Sequence, residues 1–245
     1  MINQILKESF SFSFKDWKMI LSFSLIIWVL NYMLSQTIGG GQQSAGFVIF
    51  AIVASLVQIY FNVLFILKSE DHWRGKERAL QDLMSESVWA SVSFILYALQ
   101  LIIIILFLGL IVGTIFYFIF SKIVQVQGPN YLLPLLSSIP TTFVLAFVVT
   151  PYFFVPWISV VESSSDQKYI KLAKIAIEGK RTPFALIFWI LLLFFILGNF
   201  LEFVSMGPTG PETWFIEVLS SILIPVGIWW NYFFVGLYLK SSSQV

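Results

Sequence analysis

The chain has 245 residues, of which 58% are hydrophobic and only 11% charged, with 26 phenylalanines and a net charge of +1. A soluble domain carries about half and about a quarter in those classes, so this surface cannot all face water. There is no basic excess to suggest a nucleic-acid partner. The absence of cysteine excludes disulfides, thiolate chemistry and Cys-ligated zinc.

Residues 2–18 place Ile2, Ile5, Leu6, Phe10, Phe14 and Trp17 at mostly helical spacing, with Lys7, Glu8, Lys15, Asp16 and Lys18 between them. An aromatic-rich face beside charges suits a helix lying in the headgroup region. The apolar run that follows, about 19–35, is read as a span and not a signal peptide, because mixed charges precede it and no cleavage motif follows promptly. A short uncharged turn, QTIGGGQQS, leads to a second span at about 45–67. KSEDHWRGKERALQDLMSES comes next and carries four basic and five acidic residues. Balanced charges of this kind predict a solvated face.

Val88 to Phe120 contains no charge over 33 residues. A straight helix of that length would be about 50 Å long, more than a hydrocarbon core of about 30 Å needs. Either the helix tilts or its first turns lie at the interface. The span is placed at about 93–120, with Trp89 as an interfacial anchor. Gly109 and Gly113 form a GxxxG pair, expected to pack a neighbouring helix of the same chain.

A fourth span at about 135–161 contains Pro140, Pro151 and Pro156. Each interior proline removes a helix hydrogen bond, so kinks are expected at Pro151 and Pro156. A broken helix can line a transport site, but neighbours able to satisfy the freed carbonyls make it a packing kink, the favoured reading. Ser164 and Gln167 then form a capping box. Lys168, Lys171, Lys174 and Glu178 share one face of the helix they open, opposite Tyr169, Leu172, Ala173, Ala176 and Ile177. Those three lysines either hold the helix against anionic headgroups or serve only the positive-inside rule. Spans at about 183–203 and 214–239 complete the chain.

The expectation is therefore an all-α, polytopic bundle of six transmembrane helices forming one domain, with short amphipathic interfacial helices before spans 1, 3 and 5. A β-barrel is excluded because runs such as LIIIILFLGLIVG lack polar alternation. With six spans, thirteen of the fourteen basic residues fall on the side holding both termini and only Lys122 on the other. The positive-inside rule makes that side cytoplasmic, which predicts a multi-pass membrane protein with both termini inside.

No HExxH, GxSxG or phosphate-binding glycine loop occurs. His72, the only histidine, adjoins Glu70 and Asp71, yet consecutive helical positions point apart and cannot converge on a metal. It is read as a solvated loop residue. No catalytic, cofactor or metal site is predicted. The span cores hold no ionisable group of the kind that marks ion paths. Their amides, Asn31, Gln58, Asn62, Gln100, Asn199 and Asn231, are expected to link helices by hydrogen bonds.

ERALQDLMSES ahead of span 3 and PYFFVPWISVVESSSDQKYIKLAKIAIEGKRTPF resemble the six-helix membrane domain joined to some bacterial glycerophosphodiester phosphodiesterases, and its stand-alone inner-membrane relatives. The resemblance covers about residues 66–205. It implies a six-span fold but no catalytic residues, since the phosphodiesterase barrel has no counterpart here. The functional expectation is a non-enzymatic membrane protein contacting anionic lipid or a partner protein at the cytoplasmic face; the alternative is a small permease or a membrane subunit of a transporter.

Overall fold

The computed structural model describes residues 2–38, 45–123, 132–162, 183–193 and 213–242. They are helical almost throughout: α1 (Ile2–Lys15), α2 (Trp17–Ile38), α3 (Ala45–Arg74), α4 (Leu80–Ile123), α5 (Leu132–Val149), a 3-10 turn (Thr150–Tyr152), α6 (Val155–Val161), α7 (Pro183–Leu193) and α8 (Thr213–Ser242). No strand occurs among the described residues. Three stretches are long and apolar enough to cross a membrane: Val48–Arg74, Leu80–Lys122 and Leu136–Val161. Trp17–Met33 and Pro183–Leu193 are shorter apolar helices. Large apolar side chains stand exposed along α2, α3 and α4, among them Leu25, Ile49, Ile103, Phe107 and Leu110, a surface suited to lipid and not to water.

The chain forms two compact units. The first comprises, among the described residues, 2–95, 156–162 and 213–242. Here α8 packs on α1, α2 and α3. Ile20, Phe65, Ile228 and Tyr232 form a buried cluster, flanked by Phe12, Met19 and Phe23. The Phe23 ring lies 4.3 Å from Phe61 and 5.7 Å from Phe65. Helix α1 is separated from α2 by the single residue Asp16, and the backbone ladder crosses it through Asp16 N–H to Phe12 O (3.2 Å) and Ile20 N–H to Asp16 O (2.9 Å). α1 turns Ile5 and Ser9 inward and leaves Phe10 and Phe14 exposed, as an amphipathic surface helix should.

Two of the expected amide links form in this unit. Gln58 Nε2 donates to Asn31 Oδ1 at 2.6 Å, joining α3 to α2, and Asn231 Nδ2 donates to Asn62 Oδ1 at 3.3 Å, joining α8 to α3. Trp157 of α6 donates to Asn231 Oδ1 at 3.1 Å. Gln100 is exposed, and Asn199 lies outside the described residues.

The second unit comprises residues 96–155 and 183–193 among those described. Gly109 and Gly113 face α5: a Cβ at Gly109 would lie 3.5 Å from Leu145, and one at Gly113 3.8 Å from Thr141. These are ordinary van der Waals separations, so the glycines adjoin a helix of the same chain without a forced close approach. Phe143 and Phe147 of α5 meet Phe188 and Phe184 of α7 edge to face at 5.1 and 5.6 Å.

One expectation is corrected. The segment ahead of span 3 is not a separate interfacial helix, because α4 runs unbroken through 44 residues. Nothing in ALQDLMSESVWASVSF breaks it: no Gly or Pro intervenes, and Ser87 and Ser91 return their hydroxyls to Leu83 O and Ser87 O, each at 2.6 Å. The amphipathic segment expected before span 5 lies outside the described residues.

Candidate functional site

Pro151 sits inside the 3-10 turn that ends α5, and Pro156 is the second residue of α6. The α-helical ladder is interrupted between them. Thr150, fully buried, bonds its hydroxyl to Ala146 O at 2.6 Å where regular pairing stops. Lys168, Lys171 and Lys174 lie outside the described residues.

Among the described residues, the most elaborate polar arrangement is at the C-terminal end of α3. This helix ends through Gly75, whose φ of +67° is natural only to glycine, and Lys76 N–H bonds back to Asp71 O at 2.9 Å. That is the Schellman closure. It reverses the chain so that Arg78 folds onto the turn it has just left. Arg78 donates through Nε to Asp71 Oδ1 (2.7 Å), through Nη2 to Glu70 Oε2 (3.0 Å) and Leu67 O (3.2 Å), and through Nη1 to Glu86 Oε2 on α4 (2.6 Å). Arg74 pairs with Glu70 at 3.3 Å and with Glu162, just past α6, at 2.5 Å; Lys76 pairs with Glu70 at 3.2 Å.

Glu70 and Asp71 are 3% and 2% exposed. This overturns the expectation of a solvated face, because the balanced charges cancel by closing on one another. Only the planar fork of a guanidinium can serve three carboxylates and a carbonyl together. Burial opposes the charge on Arg78, but its bond to Asp71 and the charges of Glu70, Asp71 and Glu86 outweigh that and raise its pKa.

His72 is also corrected. Its Nε2 lies 2.8 Å from Asp16 Oδ2, and the same oxygen accepts the Tyr232 hydroxyl at 2.6 Å. Phe12 stacks on the imidazole with ring centroids 4.9 Å apart and planes 5° from parallel. The neighbouring Trp73 donates Nε1 to Tyr232 O at 2.8 Å and lies against Gly236, where a Cβ would fall within the indole. Burial raises the Asp16 pKa, but bonds from His72 and Tyr232, with the charges of His72 and Lys68, leave it below the ordinary carboxylate value. One carboxylate at the α1–α2 break thus fastens three helices.

Sequence reasoning missed this knot. Asp16 lies at the α1–α2 break, His72 near the end of α3 and Tyr232 in the second half of α8, so partners far apart in sequence meet here. Among the described residues, no group of three or more His, Asp or Glu side chains could hold a metal ion. The knot and the ion cluster each direct most of their hydrogen bonds inward, between helix ends, an arrangement that fixes those ends. Compared with protein-family models, with curated proteins and with solved structures, the chain finds no match.

Proposed function

We propose that this chain is a multi-pass protein of a bacterial inner membrane, with six spans and both termini cytoplasmic, that contacts anionic lipid through its cytoplasmic surface helices and performs no catalysis. The observation that carries the reading is α1. It is held to the bundle by Ile5 and Ser9, both buried, while its Phe10 and Phe14, with Trp17 at the start of α2, stand 57%, 67% and 50% exposed beside Lys7, Lys15 and Lys18. Exposed aromatics interleaved with lysines fit a headgroup layer, where the rings enter the acyl boundary and the amines meet phosphate. The charge bias of the loops supports the threading. The resemblance to the membrane domain of glycerophosphodiester phosphodiesterases is part of the proposal, without their activity.

The test is retention of lipid by protein purified in mild detergent, read by native mass spectrometry. Anionic phospholipid should be kept in preference to zwitterionic, and less should be kept as salt rises. Equal retention of both classes at every salt concentration would sink the reading. Changing Lys168, Lys171 and Lys174 together to Gln separates a lipid role for that segment from a purely topological one. Threading is checked by single cysteines: those replacing Gly40, Asn130 and Thr209 should react with an impermeant reagent from outside, and one at Lys76, 48% exposed, should not. Ser69 is fully buried and would be a poor probe on either side.

A second reading, a small permease or transporter subunit, draws on the interruption of the helix at Thr150–Tyr152, since transporters place broken helices at their sites. Uptake of a solute by proteoliposomes that fails when Pro151 is changed to Ala would favour it.

A further inference from the structure

The exposed side of α1 does more than face lipid. Its second half, the first turns of α2 and the middle of α8 enclose an apolar groove of about 710 Å³, lined chiefly by Phe10, Phe14, Trp17, Leu21, Val226 and Trp229. A hollow of about 600 Å³ shares Phe10, Phe14 and Trp229 and continues along α1 to Leu6, Lys7 and Ser11. Adjoining through these three shared residues, the two together make up a trough, apolar along its length, with the stem of Lys7 lining one end. From Lys7 to Trp17 it follows roughly 15 Å of helix.

Charge is distributed to match. Glu8 is engaged by Gln4 at 2.8 Å, and Asp16 is turned inward to His72 and Tyr232. Lys15 and Lys18 lie over the rings of Phe12 and Trp17, at 5.6 and 5.8 Å. Lys7 is exposed and makes no ion pair among the described residues. The indole Nε1 of Trp229 is buried with no hydrogen-bond partner in the protein. The trough therefore has an apolar floor, with the exposed Lys7 beside one end. Leu21, at the other end, belongs to the apolar helix α2.

We propose that this trough is a binding site for one anionic phospholipid, with an acyl chain along Phe10, Phe14, Leu21, Val226 and Trp229 and the phosphate against Lys7. This rests on the reading of α1 as an interfacial helix and adds a defined, single-lipid site to it. A peptide or a second copy of the chain would not need an apolar trough that runs from an exposed lysine on an interfacial helix toward the apolar helix α2. Apolar burial holds the chain in place, and the amine selects the headgroup.

The 245-residue chain is reconstituted in phosphatidylcholine vesicles containing stepwise increasing shares of photoreactive phosphatidylglycerol, with the reactive group near the end of one acyl chain. Cross-links are mapped by peptide mass spectrometry. The expected result is labelling concentrated on 10–21 and 225–229, saturating at one lipid per chain and reduced several-fold when the probe is photoreactive phosphatidylcholine. Val226→Trp, which fills the trough, should abolish that labelling. Lys7→Gln should lower the preference for the anionic probe by about fivefold, the share of one basic residue at a membrane surface, and leave labelling by the zwitterionic probe unchanged. Diffuse labelling over α2, α3 and α4, or undiminished labelling of Val226→Trp, overturns the site. Native mass spectra of the same samples distinguish the failures. Anionic lipid still retained means that only the trough is wrong; no preferential retention removes the wider proposal as well. Cross-linking on the wild type requires no variant to fold.

Discussion

Replacing Arg78 by methionine keeps most of the apolar stem and removes the guanidinium. Glu70 would retain Arg74 and Lys76, at 3.3 and 3.2 Å. The Asp71 carboxylate would lose its one hydrogen bond: Oδ1 is held by Arg78 at 2.7 Å, and Oδ2 is buried with no partner at all. With Asp71 2% exposed, this amounts to breaking a buried pair from one side. That costs about 3–5 kcal/mol, and the lower end applies because Glu70 stays compensated. At roughly 2–4 °C per kcal/mol for a chain of this size, the melting temperature should fall by about 6–12 °C. The assay is thermal unfolding in detergent, followed by tryptophan fluorescence and by loss of the monodisperse elution peak. Arg78→Lys should fall between the two, since an ammonium cannot reach Asp71, Glu70, Glu86 and Leu67 O together. Adding Asp71→Asn to Arg78→Met should recover part of the loss, because the stranded charge is gone. A drop smaller than about 2 °C in Arg78→Met would mean that the cluster is as wet as an ordinary surface pair, and the account of α3's end would fail.

Asp16 sets the acid limb of stability. Its pKa is lower in the folded protein than in the unfolded chain, so its contribution is present above about pH 4 and is lost as pH falls through the lowered value. Melting temperatures between pH 3 and 7 should therefore decline less steeply for Asp16→Asn than for the wild type, and parallel curves would refute the linkage. Gly236→Ala should displace Trp73 from Tyr232 O, at a cost of about 1–3 kcal/mol for overpacking, and shift the tryptophan emission; the added Trp73→Ala should relieve the overpacking share of that loss. Asn31→Leu should cost only about 0.6 kcal/mol, the usual worth of an interhelical amide bond in a membrane, as a modest shift in a denaturation titration would show.

Helix positions were largely legible because twenty-residue apolar runs have no other stable form in lipid. The Asn31–Gln58 and Asn62–Asn231 bonds were foreseeable as a class, since buried amides must find partners. The end of α3 was not. KSEDHWRGKER reads as hydrophilic, and nothing local to Glu70 or Asp71 says whether water or Arg78 will neutralise them. The clue was Gly75 after the last helical residue, which sends Arg78 back across the turn. His72 was misread for a related reason. Its neighbours Glu70 and Asp71 point elsewhere, and its real partners lie 56 residues before it and, through the shared carboxylate, 160 residues after it. Separations of that kind are fixed by helix packing and leave no mark on local pattern.

Helix lengths supply the physical reason for both clusters. α3 and α8 each have 30 residues, about 45 Å of helix against a hydrocarbon core of about 30 Å. If both cross the bilayer, about ten residues of each must stand outside it. In α3 the outer portion ends with Lys68 to Arg74, and in α8 the portion from Tyr232 to Lys240 lies beside it, joined by Trp73 to Tyr232 O at 2.8 Å and by Lys240 over the Trp73 ring at 5.8 Å. In that case these turns would lose the lipid that forces helices to stay formed, and water would compete for their backbone groups. The Schellman closure at Gly75, the Arg78 fork and the Asp16 knot all act at this level, where fraying would otherwise begin. Because Asp16 is also the joint between α1 and α2, the knot that stops the fraying of α3 and α8 also sets where α1 leaves the bundle. The proposed lipid trough on α1 would therefore depend on a carboxylate outside its lining: Asp16→Asn should weaken labelling of the trough by the photoreactive lipid while every lining residue remains in place.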